Sequence, residues 1–310
     1  GFIGSNLINF LESTSTLEVV SVDWKNHENV DYFNNKDLRK VSPDDLENFL
    51  NKNNKSIKLI IHLGAVTSTT ETDAKLIINN NINLSLFIWS WCVENKKRLI
   101  YASSAATYGD GSNNFEDQEK NNYLSKLTPL NLYGWSKHLF DKFIVNQKKT
   151  PPQYVGLKFF NVYGPNEFHK SEMRSIVLKI FQKVSKNQTV ELFKSHNPRY
   201  KDGEQMRDFI YVKDVINIIE WFVDKKDING IFNVGTGKPR SFYDIACSVF
   251  KNSNIKNKIK FINTPKNIRE QYQYFTMANI KKLRKTGYKK KFFSLEDGIR
   301  DYIRNHLIAD

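Results

Sequence analysis

A chain of 310 residues, 40% of them hydrophobic, can bury a sizeable core as one large or two unequal domains, and it contains no run of about 18 apolar residues that would suit a membrane span. The formal charge of +14 raises nucleic-acid binding, but the lysines are spread among asparagines and cluster only at Lys148-Lys149, Lys281-Lys282 and Lys289 to Lys291, the pattern of solvated faces. Neither a nucleic acid nor a membrane is therefore an expected partner. No signal peptide precedes the first motif, and Cys92 and Cys247 stand far apart without metal-ligand spacing, so both read as buried thiols of a cytoplasmic protein with no metal.

Gly1-Phe-Ile-Gly4 opens the chain, and Asn6-Leu-Ile-Asn-Phe-Leu11 predicts a helix directly behind it. Glycines ahead of a helix N-terminus let the backbone approach a phosphate, whose charge that helix end favours. Leu17-Glu-Val-Val-Ser-Val22 reads as a short strand ending at Asp23, and an acidic residue about 20 positions past such glycines commonly holds a ribose hydroxyl. Trp24 and Lys25 follow, and Lys25 could instead pair with a 2′-phosphate. Lys58 to His62 is the next strand, running into Gly64 and Ala65, where missing bulk lets the chain pass close to a ligand. His62 reads as a strand-end core residue, because no second ligand stands at metal spacing. Thr69 to Asp73 reads as a capping loop, and an apolar helix is expected from Asn79 through Cys92.

Arg98-Leu-Ile-Tyr-Ala-Ser103-Ser104 is an apolar strand ending in hydroxyls, followed by a turn through Tyr108-Gly109. In an open parallel sheet ligands lie beyond the carboxyl ends of the strands, which is where Ser104 would stand. Residues 110–126 are polar and read as a long surface loop able to cover a substrate. In Tyr133-Gly-Trp-Ser-Lys137 the phenol and the ammonium stack one helical turn apart, and a nearby ammonium would lower a phenol pKa from about 10 toward neutrality, making Tyr133 a general base. Trp135, Leu139, Phe140, Phe143 and Ile144 continue that helix as an apolar stripe expected in the core. Pro151-Pro152 ends it, Tyr154 to Phe160 is a strand, and Asn161 lies at its carboxyl end. Beyond it, 175–186, 213–223 and 241–250 read as helices, and 189–193 and 230–235 as strands. Arg207 presents a fork that matches a pyrophosphate, unless it pairs with Asp208 or Asp202.

The strings Ser104-Ala-Ala-Thr-Tyr-Gly109, Pro129-Leu-Asn-Leu-Tyr-Gly-Trp-Ser-Lys-His-Leu-Phe-Asp141, Phe159-Phe-Asn-Val-Tyr-Gly-Pro-Asn-Glu-Phe-His-Lys170 and Gln205-Met-Arg-Asp-Phe-Ile-Tyr-Val-Lys-Asp214 resemble the ADP-L-glycero-D-manno-heptose 6-epimerases of the extended short-chain dehydrogenase/reductase superfamily. The resemblance runs along nearly the whole chain. It implies a doubly wound parallel Rossmann sheet with a smaller mixed α/β substrate domain. Residues 1–160, with part of 212–237 returning, would bind the cofactor, and 161–211 with 238–310 would bind the substrate. Gly1 and Gly4 match the second and third glycines of the superfamily fingerprint, so a first strand and glycine are expected about ten residues upstream.

The implied cofactor is NADP. Gly1, Phe2, Ile3 and Gly4 would meet its phosphates, Asp23, Trp24, Lys25 and Lys40 its adenosine ribose phosphate, Leu63, Gly64, Ala65, Val66 and Thr67 the dinucleotide, and Asn80, Val162, Tyr133, Lys137 and Lys170 further parts of it. For the ADP-heptose substrate the resemblance implies Ser104, Asn161, Phe193, Lys194, Ser195, His196, Arg207 and Tyr272, with Glu172 where the family carries a small residue. Tyr133 would take the proton from the C6″ hydroxyl as hydride leaves, Ser104 would hold the oxygen, and Lys170 would serve as a second acid/base for the other epimer. The reaction would supply lipopolysaccharide inner-core precursors, from a homo-oligomer. A 4,6-dehydratase is the nearest rival, but those enzymes place an acidic pair where Ala105-Ala106 stands here. A dinucleotide-binding regulatory module would lack Tyr133 or Lys137, and both are present.

Overall fold

The computed structural model describes residues 1–24, 38–269 and 273–308. Within them the chain runs through helix α1 (Phe2–Thr14), strands β1 (Val20–Val22) and β2 (Arg39–Val41), α2 (Leu46–Lys52) and β3 (Leu59–His62). Helix α3 (Ala74–Ile77) passes through a π-helical segment, Ile78–Asn83, into α4 (Leu84–Glu94), followed by β4 (Arg98–Ser104), α5 (Asn121–Leu124), α6 (Leu132–Val145), β5 (Tyr154–Phe159) and β6 (Asn161–Tyr163). Next come α7 (Ile176–Val184), β7 (Val190–Phe193), β8 (Met206–Arg207), β9 (Phe209–Tyr211), α8 (Val212–Asp224) and β10 (Gly230–Val234). The remaining elements are β11 (Arg240–Ser241), α9 (Phe242–Asn252), β12 (Ile259–Ile262), α10 (Lys266–Arg269), α11 (Lys281–Lys285) and α12 (Leu295–Tyr302).

Strands β3, β4, β5 and β10 pair in that order, all parallel. Parallel pairing requires crossovers, the crossovers are helices, and helices on both faces leave the strands apolar on both sides. On one face Ile100, Val155, Leu157 and Phe232 pack with Leu7 of α1 and Val215, Ile219 and Phe222 of α8. On the other, Leu99 and Tyr101 pack with Leu50 of α2, Ile88 and Cys92 of α4, and Phe140 and Ile144 of α6. Successive β4 residues thus face opposite layers, and the sheet is the doubly wound parallel one expected. β1 and β2 form a separate parallel pair, with no strand joining them to the four among the described residues.

A second core gathers Val177, Leu178 and Val184 of α7, Ile245 and Val249 of α9, Ile299 and Tyr302 of α12, and Phe209 and Tyr211 of β9. Around it β6 pairs with β9 and β7 with β12, both parallel, while β8 and β11 are antiparallel. Phe2 reaches this cluster from the first turn of α1, so the glycine segment stands where the two cores meet.

Four expectations need correcting. The helix expected from Asn79 starts at Ala74, because Asp73 caps it, accepting from Leu76 N at 3.0 Å. Residues 110–126 are not simply a surface cover: Phe115, Asp117 and Leu124 are buried. Asp117 Oδ2 accepts from Asn233 N at 3.0 Å and Glu119 Oε1 from Ile231 N at 3.2 Å, so the segment satisfies the open edge of β10. On α6, Phe140 and Ile144 are buried, but Trp135 and Leu139 are exposed, at 40% and 47%. Cys247 is half-buried rather than buried, while Cys92 is enclosed.

Candidate active site

Helix α6 starts at Asn131, whose side chain accepts from Gly134 N at 2.8 Å. A side chain at Gly134 would put its first carbon 2.8 Å from Ala106 O, so glycine lets the helix start against the turn that follows β4. That close approach brings the Tyr133 phenol near enough to Ser104 for the serine side chain to pull the phenol's pKa down. Ser104 Oγ also accepts from Ala106 N at 3.1 Å, which fixes it at the strand end. One turn along, Lys137 is 3% exposed.

The electrostatics differ from the expected ones. Burial raises the Tyr133 phenol above its ordinary value, the Ser104 side chain pulls it partly back, and the Asp141 carboxylate adds to the rise. Lys137 is itself pushed down to about 8 by burial, with Asp141 opposing the fall. Desolvation therefore dominates, and Tyr133 carries its proton at neutral pH. Nearby, His62 at the end of β3 lies 3.0 Å from Ser85 Oγ and is held neutral, pushed to about 3 by burial and then by Lys137.

Beneath these groups lies a buried network that motif reading missed. Asp141, one further turn along α6, accepts from Tyr101 OH at 3.0 Å, Ser103 Oγ at 2.7 Å and Lys158 Nζ at 2.8 Å. Lys158 also donates to Thr107 Oγ1 at 2.7 Å, and Thr107 donates to Ser104 O at 2.8 Å. The available signals were Asp141 at four residues from Lys137 and a lysine inside an otherwise apolar strand, which must find a partner when buried.

The cofactor candidates meet around the first helix. A carbon added at Gly1, Gly4 or Gly64 meets nothing within 4 Å, whereas at each of the other eleven glycines it would touch protein. These three are not demanded by packing, and they leave an open cradle at the N-terminus of α1, whose unpaired N–H groups favour a phosphate. The residues present thus fit a dinucleotide. Phe2 is buried and Ile3 partly so, both anchoring the helix start. Asp23 Oδ2 lies 2.9 Å from Gly1 N, Trp24 is 45% exposed, and the β1–β2 pairing sets Lys40 beside Ser21, two residues before Asp23. Lys25 lies outside the described residues. Leu63 and Val66 are half-buried and Ala65 likewise, while Gly64 and Thr67 are exposed.

The asparagine turned to this loop is Asn81, not Asn80. Asn81 accepts from Val66 N at 2.8 Å and donates to Val66 O at 2.9 Å and to Ser136 Oγ at 3.0 Å, tying the loop to α6. Asn80 is half-buried and donates to Leu76 O. The π-helical segment winds more residues per turn than an α-helix, and so shifts which of the three asparagines faces inward.

Asn161, Val162 and Lys170 line a cleft of about 270 Å³ together with Arg174, Phe209 and Phe242, with no residue of α6 in its lining. Lys170 Nζ lies 5.1 Å from the centre of the Phe2 ring, so the second lysine stands over the glycine segment; burial lowers its pKa, with Glu167 opposing. Thr69 Oγ1 meets Met173 Sδ at 3.8 Å, which brings the loop after β3 to the same cleft. Glu172 points away: it is 91% exposed and 3.4 Å from Lys179 Nζ, so it does not line the cleft. Arg207 is buried, with its guanidinium 5.8 Å from the Phe242 ring, while Asp208 accepts instead from Thr236, Gly237 and Ala278. Phe193, Lys194, Ser195 and His196 form a tied loop: Lys194 N donates to Ile262 O, Ser195 N to Asp202, and His196 N to Tyr274 OH. Tyr272 lies outside the described residues.

Residues 1–235 match the NAD dependent epimerase/dehydratase family. The whole chain is 42% identical, over 96% of the relative's length, to an ADP-L-glycero-D-manno-heptose-6-epimerase of Fusobacterium nucleatum. Among solved structures it is similar to the ADP-L-glycero-D-manno-heptose-6-epimerase of Helicobacter pylori, with TM-score 0.79, 27% identity, and coverage of 98% of this chain and 93% of that one. It shares its fold with the UDP-glucose 4-epimerase of Thermus thermophilus in complex with NAD, at TM-score 0.76, 22% identity and coverage of 98% and 95%.

Proposed function

The chain belongs to the NAD dependent epimerase/dehydratase family, alongside ADP-L-glycero-D-manno-heptose-6-epimerases, and on that premise we propose that it inverts C6″ of ADP-D-glycero-β-D-manno-heptose by transient oxidation and re-reduction. The observation that carries the reading is the Tyr133–Ser104 hydroxyl pair, with Lys137 one turn on, at the carboxyl end of β4. A bound nicotinamide supplies the acceptor and donor of hydride, and in its oxidised form a positive charge that favours the Tyr133 phenolate. Tyr133 then handles the C6″ hydroxyl proton, Ser104 orients that oxygen, and Lys137 positions ribose and stabilises the phenolate. Inversion presents the hydroxyl on two sides, and Lys170 in the cleft serves the second. Arg207 and the loop 193–196 would hold the ADP end.

Gly1 to Gly4, Asp23, the loop 63–67 and Asn81 would hold the dinucleotide. NADP in preference to NAD is supported by Trp24 and Lys40 near the end of β1. The division into a cofactor unit, 1–160 with part of 212–237, and a substrate unit, 161–211 with 238–310, is supported by the separate cores, although Leu283 and Tyr288 pack with the cofactor unit and Phe2 with the other. Exposed Leu76, Ile78, Trp135 and Leu139 on α3, its π-helical extension and α6 support self-association, and the two free cysteines a reducing cytoplasm. Among the described residues no helix is long and apolar enough to cross a membrane.

The test is incubation of the purified protein with ADP-D-glycero-β-D-manno-heptose, with and without added NADP, following the C6″ epimer by NMR. Formation of the L-glycero product without net cofactor reduction is expected; an unchanged substrate in both incubations overturns the reading.

A further inference from the structure

We infer that Asp141 and Lys158 are a positioning pair for the Ser104–Tyr133 couple, acting through Thr107 and touching neither substrate nor cofactor. The inference rests on the epimerase reading above. Tyr133, Lys137 and Asp141 fall at i, i+4 and i+8 of α6 and so share one face, with Asp141 deepest. Asp141 is 0% and Lys158 1% exposed. A buried ion pair is a weak source of stability, since packed apolar residues of similar volume serve as well or better. Its place directly beneath the reacting hydroxyls calls for another account.

The directions of the hydrogen bonds supply one. Asp141 Oδ1 accepts from Tyr101, and Oδ2 accepts from both Ser103 and Lys158, so the carboxylate holds the residue before Ser104 as well as the lysine. Lys158 comes from β5, paired in register with Ser103, and its ammonium sits 4.7 Å from the Tyr108 ring centre. It donates to Thr107 Oγ1, which leaves the threonine proton to donate onward to Ser104 O. Along this branch both donors therefore point from the ammonium toward the carbonyl of Ser104. Such a one-way chain polarises each bond in turn and permits one arrangement of the turn 104–108. Ser104 is thus gripped on both sides: by the Ser103 hydroxyl anchored on Asp141, and by its own carbonyl anchored through Thr107.

Three variants test the pair: Thr107→Val, which cuts the chain without altering charge, the double change Asp141→Asn/Lys158→Met, which removes both charges together, and Lys158→Arg, which keeps the donor. The measurements are kcat and KM on the ADP-heptose, dinucleotide affinity by fluorescence titration, and amide hydrogen exchange over 104–108. Thr107→Val is expected to lower kcat roughly 10-fold and the double change roughly 100-fold, the scale of a slightly misplaced reacting group, with dinucleotide affinity unchanged and faster exchange confined to 104–108. Lys158→Arg should keep most of the parent kcat. Parent kcat and parent exchange in Thr107→Val or in the folded double variant overturn the pair, and if the double variant does not fold, Thr107→Val decides alone. Should the parent protein itself leave the heptose untouched, the function falls separately. The exchange measurement then still decides: selective loosening of 104–108 supports the pair, and unchanged exchange overturns it.

Discussion

The wall of the site that carries Tyr133 and Lys137 is a 14-residue helix laid against the ends of parallel strands, whereas the wall that carries Lys170 is a three-residue strand followed by a six-residue turn in which Ser171 takes φ 45°. In the first, repeating helix and strand hydrogen bonds hold the side chains, with the buried Asp141–Lys158 network behind them. In the second, one buried carboxylate closes the loop: Glu167 accepts from Ser175 N at 2.5 Å and Ser175 Oγ at 2.6 Å, and also from Gly164 N and Tyr302 OH. Regular structure distributes the work of positioning over many bonds. An irregular wall concentrates it in one residue, so the two should fail differently when single groups are removed.

The largest effect is expected on the regular wall. Tyr133→Phe removes the proton-handling hydroxyl but leaves the helix intact, so kcat should fall roughly 10²- to 10⁴-fold with little change in unfolding free energy. NMR of the C6″ epimer checks it, and turnover at the parent rate would remove the phenol from the chemistry. On the irregular wall the order reverses. Glu167→Ala strands the donors on Ser175 and should cost about 1–3 kcal/mol in urea unfolding, with a raised KM as the Lys170 turn loosens. An unaltered urea midpoint would show that the turn holds itself.

A smaller effect is expected on changing the pH. Lys137 loses its proton near pH 8, so kcat/KM should decline above that value, at most tenfold per unit, while His62, already neutral above about 3, contributes no limb in this range. For stability the sign is fixed: between about 8 and the ordinary 10.5 the folded lysine binds fewer protons than the unfolded one, so unfolding free energy rises with pH through that window, and the burial cost is carried in full below it. A flat profile from pH 7 to 9.5 would place Lys137 outside the rate-limiting chemistry. Smallest of all, Asn80→Ala should change stability by no more than about 1 kcal/mol and leave dinucleotide affinity as it was, since its amide donates to Leu76 O within its own helical segment. A several-fold loss of affinity would return Asn80 to the cofactor loop.

Much of the regular wall was legible in the chain. The strand ending at Ser104, the helix through Tyr133 and Lys137 and the strand from Tyr154 follow from apolar runs and spacing, and their observed limits lie within a few residues of the expected ones. Legibility failed where counting in turns of 3.6 residues does not apply, as in the π-helical segment that turns Asn81 inward. It failed again where a polar run finds buried partners, as when Asp117 and Glu119 meet the edge of β10. The two expected core residues on α6 that proved exposed, Trp135 and Leu139, show that an apolar stripe tells which residues avoid water but not what covers them.

By itself the sequence determined the order of strands and helices and the pairing of Tyr133 with Lys137 on one helix face, because periodicity and spacing are local properties of the chain, and the resemblance of its motif strings implied the family and the parallel α/β architecture. Only the tertiary structure decided that Lys158 meets Asp141, that Lys170 stands over Phe2, and that the Tyr133 phenol is raised rather than lowered. Desolvation and ion pairing depend on which distant residues exclude water from a group, and that is settled by packing, not by neighbours in the chain.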